Sequence, residues 1–561
     1  MKRINILTVI LLTTAIVPAL SQTGYQAGTA VVSIEPEETL LSLHLGGYGA
    51  PRDGRFTLQW HEIDKLPAAD AFDDLSYKTD ANGKIIIRDR RGKYWSVTGS
   101  DDFKGIMSVA VNKGRIYVLD NDGTLYWRTV SGSDAKWLKM AYRNGETIKE
   151  EIVQIAIIND RLYGADKDNK KYLAENRSEG NLTARALAIR EEKTTVLIIN
   201  IDVCGLDDEF TGPVKDEIFR KTGIPASAIF INSSHTHFAP VSQNWLTWQE
   251  ANQRPDSIYL NKIIRNGLIK ASAEAVASIK PAELWFGRGK TDIGYNRSLK
   301  DHPELYDSAV DVLKIHYTGS NTESYLFIAA CHPVFSTAGT LHYTISANYP
   351  GVARKLVERR TNTTNSLFLQ GTAGDINPRD NGENISGEKL ANEVIAVLGR
   401  PMEKISGPIS CFLDTVNIPV QPWSKQEITA LKESNLPKKG DVYAEKNVKW
   451  SDLMLRYYEE GIMPSTLPVY VQTINIGNWK LVGFSRETTT QYGFGVKDLW
   501  PGKMVSVAGY TNDVSSYLPT SKHLELKNYE GYDSFFWYGS PAVFPMNVYD
   551  IILNDIKEKA R

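Results

Sequence analysis

The run Val196-Leu-Ile-Ile-Asn-Ile201 has almost no polar face, and the helix-like segment Gly212 to Thr222 separates it from a second such run, Ala228-Ile-Phe-Ile231. A strand that is apolar on both sides must be covered on both sides, and two of them joined by a helix form a βαβ unit. The alternation continues. Ser257 to Lys280 reads as a helix, Tyr325 to Ala330 as a strand, Tyr349 to Arg360 as a helix, Leu367 to Gln370 as a strand and Gly387 to Leu398 as a helix. An α/β fold is expected, with a mixed, largely parallel sheet flanked by helices. The 561 residues, 42% of them apolar, suffice for a large core.

Two histidine segments follow these strands directly. Ser234-His235-Thr236-His237 comes after Ala228–Ile231, and Cys331-His332-Pro333 comes after Tyr325–Ala330. Open α/β sheets place their ligands just past strand ends. Imidazoles at i and i+2 of an extended segment share a side, and neutral imidazole is the commonest metal ligand. A lone His-x-His is more often incidental; the distant His332 is what points to a zinc site. The remaining histidines, His44, His61, His302, His316, His342 and His523, have no motif context and read as structural or exposed.

The formal net charge is −2 and the basic residues are dispersed, so no footprint for nucleic acid is expected. Lys2 and Arg3, the apolar stretch Ile4 to Val17 and Ala19-Leu20-Ser21 read as a signal peptide over residues 1–21, which implies a secreted or periplasmic protein. No later run of eighteen or more apolar residues suggests a transmembrane span, which leaves at most transient contact with a membrane surface. Cys204, Cys331 and Cys411 each sit in an apolar setting and read as core residues, with a disulfide possible but not expected.

Residues from about Thr57 to Leu182 show a different pattern. Tyr77-Lys-Thr-Asp80-Ala-Asn-Gly83, Tyr117-Val-Leu-Asp120-Asn-Asp-Gly123 and Tyr163-Gly-Ala-Asp166-Lys-Asp-Asn169 share one register, at offsets of 40 and 46 residues. That period suggests propeller-like β units or a small curved sheet. The acidic segments admit calcium, but the hairpin turn is the preferred reading. Tyr94, Trp95, Tyr126 and Trp127 look exposed and could form a substrate platform.

Five short motifs then occur in order: His235-Thr236-His237, Cys331-His332-Pro333-Val334, Gly374-Asp375-Ile376-Asn377-Pro378, Arg486-Glu487-Thr488-Thr489 and Asn512-Asp513-Val514-Ser515-Ser516-Tyr517. Together they resemble the catalytic domain of the neutral/alkaline, non-lysosomal ceramidases, and Gly47-Tyr48-Gly49 and Thr183-Ala184-Arg185-Ala186-Leu187 fit the same family. The resemblance covers roughly residues 25–56 and 183–550. It implies a catalytic domain over 22–56 and 183–561, with an inserted all-β, propeller-like repeat subdomain over 57–182. Carried over residue by residue, it implies that His235, His332, Glu487 and Tyr517 hold Zn2+. His237 would move protons, and Arg297 and Tyr529 would donate to an oxyanion.

Two departures from the family follow. Asn377 stands where the family has Ser, and an amide cannot serve as an acyl-accepting nucleophile. Asn377 is left to orient substrate or water, and a metal-activated water becomes the nucleophile. Also, no counterpart of the family's carboxy-terminal immunoglobulin-like domain is expected between Tyr529 and Arg561. The resemblance thus implies a secreted zinc hydrolase that cleaves the amide of an N-acyl substrate, a ceramide-like lipid. The alternatives are a zinc esterase or deacetylase acting on a glycan, and a catalytically degenerate protein that binds glycan or lipid.

Overall fold

The structure is a computed structural model, and it describes residues 24–559 except 38–42, 48–55, 57, 69–70, 100–102, 104, 131–136, 142–151, 250–251, 321, 335–343, 364 and 439. The expected signal peptide, Tyr48, Gly49 and His342 therefore lie outside the described residues.

The apolar runs do form strands of one large sheet. Its order is Ile229–Ser233, Thr194–Ile201, Thr183–Glu191, Gln26–Ser33, Lys280–Lys290, Ala309–Tyr317, Thr322–Ala329 and Ser366–Gln370, with the short Glu403–Lys404 beside Lys280–Lys290. Only the two outermost pairs are parallel, Thr194–Ile201 with Ile229–Ser233 and Thr322–Ala329 with Ser366–Gln370. Every pairing between them is antiparallel. The sheet is mixed, as expected, but not largely parallel. The parallel pairs are those joined through helices, and they carry the continuous apolar runs that made the pattern legible. The central strands alternate instead, as in Lys280–Lys290, where buried and less buried positions take turns.

Alternation also assigns the two faces. Val310, Val312, Phe327 and Phe368 pack under the helices Asn348–Thr361 and Glu383–Leu398. Leu313, Ile315, Leu326 and Leu369 face the main core, which also takes in residues of Asp208–Thr222 and Arg265–Ala277. A second sheet, Ile409–Pro419, Thr466–Ile476, Trp479–Phe484 and Met504–Ala508, contributes Ile474, Trp479 and Leu481 to that same core. All three cysteines are free thiols. Among the described residues, no helix is long and apolar enough to cross a membrane.

Gln26–Ser33 pairs with Thr183–Glu191 along its whole length, although three small antiparallel sheets intervene in the chain. These are Leu75–Thr79 with Lys84–Asp89 and Tyr94–Thr98; a four-stranded sheet from Ile106–Asn112 to Leu138–Ala141; and Ile152–Ile158, Arg161–Asp166 and Lys171–Asn176, whose fourth strand is Leu58–Ile63. None of them closes on itself, so the propeller-like expectation is replaced by three open sheets.

The repeated aspartates act as turn residues. The carboxylates of Asp80, Asp120 and Asp166 each accept from the backbone N–H groups two and four residues on, at 2.8 to 3.0 Å. Asp89, in Asp89-Arg-Arg-Gly92, makes the same turn at 2.9 and 2.8 Å. The four aromatics are not one exposed platform. Tyr94 is 69% exposed, but Tyr126 is buried, and Lys93 and Arg115 lie over the rings of Trp95 and Trp127.

A buried ion pair ties helix to sheet: Arg354 donates to the carboxylate of Asp202 at 2.9 and 2.7 Å, and that carboxylate also accepts from the Thr183 backbone and hydroxyl at 2.9 Å. Replacing Arg354 by Ala leaves a buried carboxylate without its countercharge. We expect Arg354→Ala to lose about 3–5 kcal/mol in urea unfolding, the usual cost of breaking such a pair.

Candidate metal centre

His235 follows the edge strand Ile229–Ser233. The backbone N–H of Ser234 still donates to Ile201 and that of His235 to Val203, but His235 then turns into the left-handed region at φ +63°. The segment is a turn rather than the extended strand assumed from spacing. It nevertheless brings the Nε2 atoms of His235 and His237 within 3.1 Å. A side chain at position 47 would lie 2.4 Å from the His237 ring, so Gly47 leaves the room that ring occupies.

His332 follows the Thr322–Ala329 strand, and its backbone N–H donates to Ile376 at 3.0 Å. Glu487 lies on a two-residue strand paired in parallel with Tyr517–Leu518, so Glu487 and Tyr517 are direct neighbours across that pair. A Cβ at residue 374 would lie 2.5 Å from the Glu487 carbonyl oxygen, which explains glycine there.

These segments bring three donors to one point. His235 Nε2 and His332 Nε2 lie 3.1 and 3.0 Å from the same Glu487 oxygen, Oε2, and the three side chains are at most 3% exposed. The far side of each imidazole fixes its tautomer. His235 Nδ1 faces the Cys204 carbonyl at 2.5 Å, and His332 Nδ1 faces the carbonyls of Ala373 and Ile376 at 2.7 and 3.1 Å. A carbonyl only accepts, so each Nδ1 carries hydrogen and Nε2 is the atom of each ring that can offer a lone pair inward once any proton on it is displaced. Zinc with bonds of about 2.0–2.1 Å in tetrahedral array sets its donors about 3.3 Å apart, close to these separations. The donor set fits the ion.

The electrostatics also favour a cation. Burial opposes charge on His235, yet Cys204 and Glu487 raise its pKa to about 10. Since burial also pushes the Cys204 thiol up and keeps it neutral, the Glu487 carboxylate is the charge responsible. Burial and Arg297 push His332 down to about 4, while His237 is held well below the usual imidazole range by burial and the two other histidines. Burial would raise Glu487, but the charge on His235 and its hydrogen bond, with His332 beside them, hold it well below the usual carboxylate range.

The other expected residues surround this group. Arg297 donates to Glu530 at 2.8 Å, Asn377 Oδ1 at 3.0 Å, the Gly374 carbonyl at 3.0 Å and the Tyr517 hydroxyl at 2.9 Å. Four of its five N–H groups are thus committed to the protein. Because Asn377 turns its carbonyl to Arg297, its two amide N–H donors lie outside that pair. The Tyr517 ring is 5.4 Å from Tyr529, which is 41% exposed. The Tyr517 hydroxyl meets Arg297, so its nearest shown partner is the guanidinium and not a histidine.

Sequence reasoning missed several neighbours. Tyr538 donates to Glu487 Oε1, Glu530 is the counterion of Arg297, and Tyr510 stacks on His235 with centroids 4.3 Å apart. Glu530 is adjacent to a motif residue, which was a usable signal; Tyr538 and Tyr510 carry none. His523 is fully buried against Asp375, at 3.4 Å.

Because the Glu487 carboxylate raises His235 above the ordinary imidazole range, metal uptake must displace a proton from it. Lowering the pH favours the protonated form, so zinc affinity should rise with pH across 6–9 by up to tenfold per unit. Calorimetric titration with zinc in buffers of different ionisation enthalpy should register about one proton released at pH 8.

No family model matches the chain, and no curated protein does. Solved ceramidase structures share its fold. The neutral ceramidase from Pseudomonas aeruginosa superposes with a TM-score of 0.52 at 18% identity, covering 67% of this chain and 69% of that one. A ceramidase complexed with C2 gives a TM-score of 0.53 at 16% identity, covering 67% and 68%. The centre of buried histidines and glutamate thus stands in a chain whose fold is that of the neutral ceramidases.

Proposed function

We propose that this protein is a zinc-dependent hydrolase of the amide bond in an N-acyl substrate, a ceramide-like lipid, acting outside the cytoplasm. The observation that carries this reading is the convergence of His235 Nε2, His332 Nε2 and Glu487 Oε2, each imidazole anchored by a backbone carbonyl. The ceramidase fold supports it. In this reading His235, His332, Glu487 and Tyr517 hold the ion. When bound, zinc supplies the Lewis acidity that makes water a nucleophile near neutral pH.

The chain's own residues do the rest. His237 is buried and neutral, so it takes a proton from the attacking water and returns it to the leaving amine. Asn377, its carbonyl held by Arg297, turns amide N–H groups to the substrate carbonyl, and Tyr529 at the exposed rim donates to the same developing charge. Arg297 acts chiefly by positioning Asn377 and Tyr517. Water attack replaces acyl transfer because Asn377 offers no nucleophile.

The first test is metal analysis of the purified protein and its His235→Ala variant, alongside hydrolysis of a fluorogenic N-acyl sphingosine panel. We expect one zinc per chain, with metal and cleavage lost together in the variant. Zinc without cleavage turns the search to glycan esters and acetamides, or to a binding role; absence of zinc removes the metal centre.

Asn377→Ala supplies a second measurement. Loss of an oxyanion donor lowers kcat by about 10²–10³ with zinc retained. A variant with wild-type kcat would show that Asn377 is not a donor in the reaction.

A further inference from the structure

Tyr510 combines two costs at one residue. It is fully buried, and its hydroxyl has no hydrogen-bond partner among the described residues. A buried hydroxyl left in that state forfeits its hydration. Its backbone sits at φ +52°, a region that a bulky aromatic residue rarely adopts. Its ring lies against His235, centroids 4.3 Å apart, and stands edge-on to His332 at 6.2 Å. The strain is shared locally, because His235, Arg486 and Asn512 also have positive φ, at +63°, +73° and +67°. The left-handed turn at 510 is held by hydrogen bonds from the Tyr510 N–H to Arg486 and from the Ser233 N–H to the Tyr510 carbonyl, at 3.0 and 3.1 Å.

A phenylalanine would pack the same ring without the stranded hydroxyl. Costs of this kind persist where the site needs them. A phenol hydroxyl carries one hydrogen, so the group is available as a donor. We propose that the Tyr510 hydroxyl is a further functional group of the metal centre, reserved as hydrogen-bond donor to an oxygen of the non-protein ligand bound there. In the hydrolase reading, on which this inference rests, that oxygen belongs to the substrate amide or the charge that develops on it. No motif contains this residue. Tyr259 provides the contrast: it too is fully buried with a hydroxyl lacking a partner among the described residues, but the charges acting on it are Glu35 and Asp202, not those of the centre.

The test compares zinc-loaded wild type, Tyr510→Phe and Tyr259→Phe by melting temperature, zinc content and affinity for acetohydroxamate, an oxygen-donor zinc ligand that does not depend on knowing the substrate. Tyr510→Phe should melt no lower than wild type, hold one zinc and bind acetohydroxamate about ten- to 100-fold more weakly, the range for a hydrogen bond to a charged group. Tyr259→Phe should bind it like wild type. Unchanged affinity in Tyr510→Phe overturns the inference, and so does weaker binding that comes with lost zinc or a lowered melting temperature, since either means the hydroxyl serves the protein. If wild type takes up no zinc, the hydrolase reading itself fails; if it takes up zinc and Tyr510→Phe binds hydroxamate normally, only the role of Tyr510 fails.

Discussion

One buried carboxylate organises this molecule. Glu487 is 3% exposed, and its two oxygens meet His235 and His332 on one side and Tyr538 on the other. An isolated carboxylate at that depth would be prohibitively costly, so the surroundings must supply positive charge. A proton shared with His235 can do so, and so could a divalent cation held by the same donor atoms. The carboxylate and its three partners come from four separate stretches of chain, and bringing them together requires the whole alternation of strands and loops around the edges of the main sheet.

The backbone around Glu487 is under strain for the same reason. His235, Arg486, Tyr510 and Asn512 all adopt left-handed φ although none is glycine. Each such residue costs on the order of 1–3 kcal/mol, and persists only where neighbouring structure leaves no alternative. Here the fully buried strands on either side do that. The Asn512 backbone donates to Ile231 at 2.7 Å, and the Ser233 backbone donates to Tyr510 at 3.1 Å, so the strained loop is held as an extension of the edge strand. The rigid sheet thereby sets where the histidine rings stand.

Arg297 ties Asn377 to the residues around Glu487. A single guanidinium holds Glu530, Asn377, Gly374 and Tyr517, and so links the segment bearing Asn377 to the pair bearing Glu487. An asparagine can accept from arginine and still donate elsewhere, which a serine at the same place does with one hydrogen instead of two.

Continuous apolar runs and the helices between them were legible in the residues alone, because burial on both faces leaves a signature within a few positions. So was the position of the histidines just past strand ends, although a turn at His235, not an extended spacing, brings its ring to His237. The antiparallel centre of the sheet was not, since Lys280–Lys290 and its neighbours alternate and say nothing about which strand lies alongside. Nor were Tyr510 and Tyr538, whose importance lies in atoms that meet across the fold. His332 and Glu487 touch over a separation of 155 residues, and Arg297 and Tyr517 over 220. Sequence by itself determined which side chains could do chemistry and which segments had to be buried. Tertiary structure alone decided which of them share a charge, because hydrogen bonding and desolvation depend on distances in space that local periodicity does not encode.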